Sequence, residues 1–148
     1  MNRTICFKER RYIEELRILT KATAVDCIID ERFDRIIYVI REGDMGLAIG
    51  RKGANIKKMQ KVLGRRVEMV EFAQEPTAFV QNIFKPADIL EVQSAAEGRT
   101  DVFVRKSDLG IAIGKGGCMI EKARLLIARF LGRELGEIQV REEENADA

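Results

Sequence analysis

Asp44 to Ile56 reads DMGLAIGRKGANI, and Asp108 to Ile120 reads DLGIAIGKGGCMI. The second stretch follows the first at an offset of 64 residues with no gap. Asp44/Asp108, Gly46/Gly110, Ala48/Ala112, Ile49/Ile113, Gly50/Gly114, Gly53/Gly117 and Ile56/Ile120 are identical in register. Repetition at a fixed offset marks two copies of one structural unit. Each copy closes on Gly-x-x-Gly, with Arg51-Lys52 between the glycines in the first and Lys115-Gly116 in the second.

Working outward from these loops, both halves predict the same order of elements. Tyr12, Leu16 and Leu19 share one face of an amphipathic helix over 8–20. Two β-rich runs follow, at 24–29 and 35–41, around a turn at 30–34. Asp44 is placed to cap a short helix over 45–49. After the glycine loop a helix runs over 54–63 and stops at Gly64, a left-handed C′ position. A third strand covers 66–72. In the second half, Pro76 opens a helix over 77–84. Strands follow at 88–93 and 99–105. Ser107-Asp108 cap a helix to Ile113, a helix covers 118–131 up to Gly132, and a strand covers 136–141.

Each half is thus α-β-β-α-α-β, an α+β unit. The first two strands form a hairpin. The long crossover through the helix pair lets the third strand lie parallel beside the second. The expected result is a three-stranded mixed sheet packed on three helices. Domain bounds are read as 1–73 and 74–142, with 143–148 a frayed acidic tail. Only Ala73-Gln74-Glu75 joins the halves, too little for a flexible tether, so a nearly fixed relative orientation is expected.

Composition narrows the function. With 46% hydrophobic and 34% charged residues the chain is of the globular class. No apolar run suits a membrane span, and the start lacks the core of a secretory signal. Cys6, Cys27 and Cys118 are odd in number and never CxxC, so reduced thiols in the cytoplasm are expected. The chain has no histidine, which removes the commonest general base and the His-containing zinc sites. No enzyme activity, cofactor or metal is expected.

Charge is uneven. Residues 1–72 hold 16 Lys/Arg against 11 Asp/Glu, and residues 73–148 hold 10 against 13. From Arg51 to Arg66 there are seven basic residues and no acidic one. Such a surface attracts polyanions; the plainer reading is a solvated helix face.

The loops favour the first reading. Two glycines three apart allow a sharp turn that a sugar-phosphate backbone can approach. The amides opening the next helix favour an anion there, and Arg51, Lys52 and Lys115 add charge. Leu47, Ile49 and Ile56, with Ile111, Ile113 and Ile120, line a groove or fill the core, with most of their area expected in the core and one or two per unit touching a base. A P-loop needs a longer glycine spacing and Ser or Thr after Lys, and both are missing. A dinucleotide fingerprint would need glycine where Ala48 stands. A turn using glycine for geometry alone is the structural alternative, stronger for the second loop.

Ile-Gly-x-x-Gly-x-x-Ile on this frame resembles the KH domain in its type II arrangement. The motif is matched at Ile49, Gly50, Arg51, Lys52, Gly53 and Ile56, and again at Ile113, Gly114, Lys115, Gly116, Gly117 and Ile120. Both copies together cover nearly the whole chain. KH domains clamp about four nucleotides of a single strand. The resemblance implies that role for these residues, with Lys57 beside the first loop. A close tandem of type II units is similar to the archaeal NusA-like termination/antitermination factors. Longer bacterial members carry a polymerase-binding domain and an oligonucleotide-binding barrel, and the 148 residues hold neither. The resemblance therefore implies a monomeric single-stranded RNA-binding protein of transcription, with RNA polymerase as a further candidate partner. Ribosome assembly or RNA processing is the alternative pathway. A protein-interaction scaffold with idle loops is the third reading. Cys118 stands beside Lys115 at a helix start, and the sequence shows neither a histidine base nor a CxxC spacing that would give it a catalytic or redox role. Phe33, Phe79, Phe84, Phe103 and Tyr38 are assigned to the core or the seam between units.

Overall fold

The computed structural model describes residues 4–142; the acidic tail expected at 143–148 lies outside them. The chain divides into two compact units, one of Thr4–Ala73 and one beginning at Gln74. Both have the same topology.

In the first unit, α1 (Phe7–Thr20) starts on a reciprocal cap. The Cys6 N–H donates to the Glu9 carboxylate at 3.0 Å, satisfying an amide that helix geometry leaves orphaned. The helix ends at Lys21 in the left-handed region (φ 70°). β1 (Ala24–Asp30) pairs antiparallel with β2 (Arg35–Ile40), and β2 pairs parallel with β3 (Arg66–Glu71). The crossover between β2 and β3 holds α2 (Met45–Ile49) and α3 (Ala54–Leu63). The helices and sheet share a core of Leu16, Cys27, Ile36, Tyr38, Ile40, Ala48, Met59 and Val67. Burial of each large apolar side chain here stabilises by about 1.5–3 kcal/mol. The Tyr38 hydroxyl donates to the Tyr12 carbonyl at 2.8 Å, so this phenol is buried with its polar tip satisfied.

Sheet edges are fastened by a charged device that the strand pattern did not predict. Arg35 is fully buried. Its Nε lies 2.7 Å from Asp30 and its Nη1 2.7 Å from Glu68, so one guanidinium on the central strand ties both neighbours. Phe33, expected in the core or the seam, is half-buried, with the Arg35 and Arg32 guanidiniums 5.1 and 5.4 Å from its ring centre.

The second unit repeats the plan with α4 (Pro76–Phe84), β4 (Ile89–Ser94), β5 (Arg99–Val104), α5 (Leu109–Ile113), α6 (Cys118–Leu131) and β6 (Glu134–Val140). β5 is central, antiparallel to β4 and parallel to β6. Glu75 caps α4, its carboxylate accepting from the Thr77 and Ala78 N–H groups at 3.1 and 2.7 Å. Phe79 and Phe130 meet edge to face at 5.1 Å, and Phe79, Phe84, Leu126 and Ile127 are buried. Phe103 is half-buried under the Arg141 guanidinium, 4.4 Å from its ring centre.

Two expectations are corrected. Asp44 and Asp108 do not cap α2 and α5: neither side chain bonds the helix start. Both residues have helical backbone angles (φ −97° and −99°), whereas a capping residue needs an extended one. Asp44 instead accepts from the Thr23 N–H at 2.9 Å and pairs with Arg41 at 3.1 Å, holding the start of β1. That backbone bond, then Arg41, keeps its carboxyl below the ordinary range. The last strand begins at Glu134, two residues before the expected Gly136. Gly136 is not a boundary; it makes room for a side chain in the ladder. A Cβ there would sit 2.1 Å from the Asp101 carboxylate, which accepts from the Glu137 N–H at 3.0 Å where the β5–β6 register shifts.

Candidate nucleic-acid interface

The two glycine loops are built alike. Gly50 lies at φ 76°, ψ 170°, and Gly114 at φ 77°, ψ 165°. Each donates back to the helix before it, Gly50 N–H to Gly46 O and Gly114 N–H to Gly110 O, both at 2.9 Å. The last glycine closes the turn on the first, Gly53 to Gly50 and Gly117 to Gly114, both at 3.1 Å. Thirteen site residues were expected, and all lie in or beside these turns.

The first and last glycines serve different ends. A Cβ on Gly50 would fall 2.7 Å from Asn55 Cγ, and one on Gly114 would fall 2.6 Å from Met119 N. The first glycine is therefore demanded by the close return of the next helix as well as by its positive φ. A Cβ on Gly53 would meet only Ile56, at 3.7 Å, and one on Gly117 nothing within 4 Å. There the positive φ (74° and 83°) selects glycine, and the space beside the backbone is open to a ligand.

Between the glycines the copies diverge. Lys52 holds φ 56° with a full side chain, in a region costly for any residue but glycine. The matching Gly116 holds φ 64° without that cost. Arg51, Lys52, Lys57, Lys115 and Gly116 are exposed, while Ile49, Ile56, Ile113 and Ile120 are half-buried beneath the turns. No side chain caps α3 at Gly53 or α6 at Gly117. The Ala54 and Cys118 N–H groups donate back to the Arg51 and Lys115 carbonyls, so what converges at each turn is the positive end of a helix that no side chain caps and the exposed cations, a combination suited to phosphate oxygens.

Leu47 and Ile111 were expected chiefly in the core. They are 50% and 43% exposed. Both occupy the same position of the short helix before the loop, so each copy sets an apolar side chain outward near its cations. The repetition of an apolar residue at this offset was the available signal. Asn55 was also overlooked: its side-chain amide bridges α3 to α2. Cys118 is half-buried, with its sulfur packed where a Gly114 side chain would lie. Among the described residues no group of three or more Cys, Asp or Glu side chains could hold a metal ion. No helix among them is long and apolar enough to cross a membrane.

Comparison with known proteins identifies the family. Residues 9–85 match the model of the KH domain, and residues 76–147 match that of the NusA-like second KH domain. The probable transcription termination protein NusA of Halobacterium salinarum is 38% identical over 133 residues, covering 88% of this chain and 93% of the relative. That of Halococcus morrhuae is 36% identical over 121 residues, covering 80% and 86%. The crystal structure of APE1850 superimposes with a TM-score of 0.81 at 35% identity, over 93% of this chain and all of the other.

Proposed function

The chain belongs to the NusA-like family of tandem KH-domain proteins, and from that membership we propose that it binds single-stranded RNA in transcription termination or antitermination. The nascent transcript is its ligand and RNA polymerase its further partner. The observation that supports this most is the pair of matched turns, each with exposed cations around a helix start that no side chain caps. A sugar-phosphate backbone would run over Gly53 and Gly117, where no side chain stands in the way. Bases would turn toward Leu47 and Ile111. The protein's part is binding, with no bond made or broken.

Two short sites on one chain reinforce each other when the link is short, because the second binds at high effective concentration. Residues 72–75 form that link. Loop 1 brings Arg51, Lys52 and Lys57, whereas loop 2 brings Lys115 alone, so the first unit should dominate affinity.

The test is a titration of a single-stranded oligoribonucleotide against Arg51→Asp/Lys52→Asp in the full chain. Binding should be abolished while the melting temperature stays nearly unchanged. Lys115→Asp should cost less. Unaltered binding by the double variant removes the first loop as a clamp. Co-purification with RNA polymerase supports a role in transcription, and co-purification with pre-ribosomal particles moves the protein to ribosome assembly.

A further inference from the structure

Beyond Lys57, which serves the loop, the outer face of α3 carries charge at Lys58 and Lys61 that the loop does not use. At about 100° per residue, Lys57, Lys58 and Lys61 fall within roughly a 100° arc of α3, and Arg65 follows just past the helix end, after the left-handed Gly64. The core residues Ile56, Met59 and Leu63 lie on the opposite side of the helix. Lys57, Lys58 and Lys61 are exposed, and no carboxylate among the described residues pairs with them. Lys57 and Lys61, four residues apart, are spaced to repel one another along the helix. This repulsion is left standing beside the loop.

The ridge ends at an open depression of about 540 Å³ lined by Phe33, Asp34, Gln60, Gly64, Arg65 and Arg66. Here Arg65 Nη1 is buried without a hydrogen-bond partner. Its Nε lies 3.7 Å from Asp34, a carboxylate 82% exposed, beyond hydrogen-bond reach. The second unit has no such ridge. The positions 64 residues on are Glu121, Lys122, Leu125 and Arg129, and Glu121 is buried against Arg124 at 2.6 Å.

We propose that this face of α3 is a second phosphate track, which carries an RNA strand onward from the Gly50–Gly53 loop past Lys58 and Lys61 toward Arg65. The proposal rests on the RNA-binding reading of the loops and extends it. The ten residues of α3 rise about 15 Å, enough for roughly two phosphates beyond those at the loop. Asp34 stands at the exit, where it weakens the approach of the strand.

The test uses the full chain with the second loop disabled by Lys115→Asp/Gly116→Asp, titrated with non-pairing oligouridines of about four and about eight nucleotides. Lys58→Gln/Lys61→Gln in that background should leave affinity for the shorter oligomer within twofold. For the longer one, affinity should fall on the order of tenfold, and the log–log salt slope should lose about 1.4, or 0.7 per phosphate. Asp34→Asn should strengthen only the longer complex. Equal losses at both lengths, or none, overturn the track. Loss of poly-glutamate binding with RNA binding intact overturns it in favour of an acidic protein partner. Failure of the unaltered loop to hold the shorter oligomer strikes at the loop reading instead. A length-specific loss on the longer oligomer supports the track even then.

Discussion

The Asn55 side-chain amide donates to the Leu47 carbonyl at 2.7 Å, tying the helix after the first glycine loop to the helix before it. Met119 takes the matching place in the second unit and has no amide to offer. The first turn is thus braced by a bond the second lacks. A net contribution of about 0.5–1.5 kcal/mol is ordinary for such a bond. Asn55→Met should lower RNA affinity by roughly two- to tenfold, the same energy expressed as a binding ratio. Its salt slope should stay unchanged, because no phosphate contact is removed. Faster hydrogen exchange at the Gly53 amide, which closes the turn, should accompany the loss. A changed slope with unchanged exchange would sink the bracing role.

Lys52 separates charge from conformation. Its left-handed backbone costs about 1–2 kcal/mol, and glycine's freer unfolded chain returns about 0.4–1 kcal/mol of any relief. Lys52→Gly should therefore raise unfolding free energy by about 0–1.6 kcal/mol. RNA affinity should fall, with about 0.7 lost from the salt slope. Denaturant melts and titrations at two or more salt concentrations measure both. A marked loss of stability contradicts the strain at this site.

Arg35 should be a stability residue of the first unit. Removing it leaves Asp30 and part of the Glu68 pairing uncompensated in or near the interior. Arg35→Ala is expected to cost about 3–5 kcal/mol, the range for breaking a buried pair from one side. The triple change Arg35→Met/Asp30→Leu/Glu68→Leu should recover most of it, since no buried charge then lacks a partner. If the single change costs less than about 1 kcal/mol, the range of an exposed pair, the bridge is ornamental.

Acid sensitivity should trace partly to Glu75 and Asp44. The Ala78 N–H and then the Thr77 N–H hold the Glu75 carboxyl below its ordinary value of 4.5. The Thr23 N–H and then Arg41 hold Asp44 below 3.8. Protons thus bind the unfolded chain more readily. The contribution is complete above those ordinary values and is lost as pH falls through the lower folded ones. Glu75→Gln and Asp44→Asn should each flatten the melting-temperature profile below about pH 5 and leave its shape above that unchanged. A profile parallel to that of the unaltered chain refutes the linkage.

The sequence by itself determined the repeat and much of the frame. α2, α3 and α6 fall on their expected residues, and Gly64 and Gly132 end their helices in the left-handed region. Those features depend on neighbours within a turn or two, and glycine or a change of period announces them locally. Only the tertiary structure decided where Asp44 spends its carboxylate, why Gly136 lacks a side chain and what Arg35 holds. Their partners lie at Thr23, Asp101 and Glu68, between 21 and 35 residues away, a separation no local pattern encodes. The outward turn of Leu47 and Ile111 is likewise a matter of what the packed core leaves uncovered. Burial is a property of the whole unit, whereas periodicity belongs to a single helix or strand.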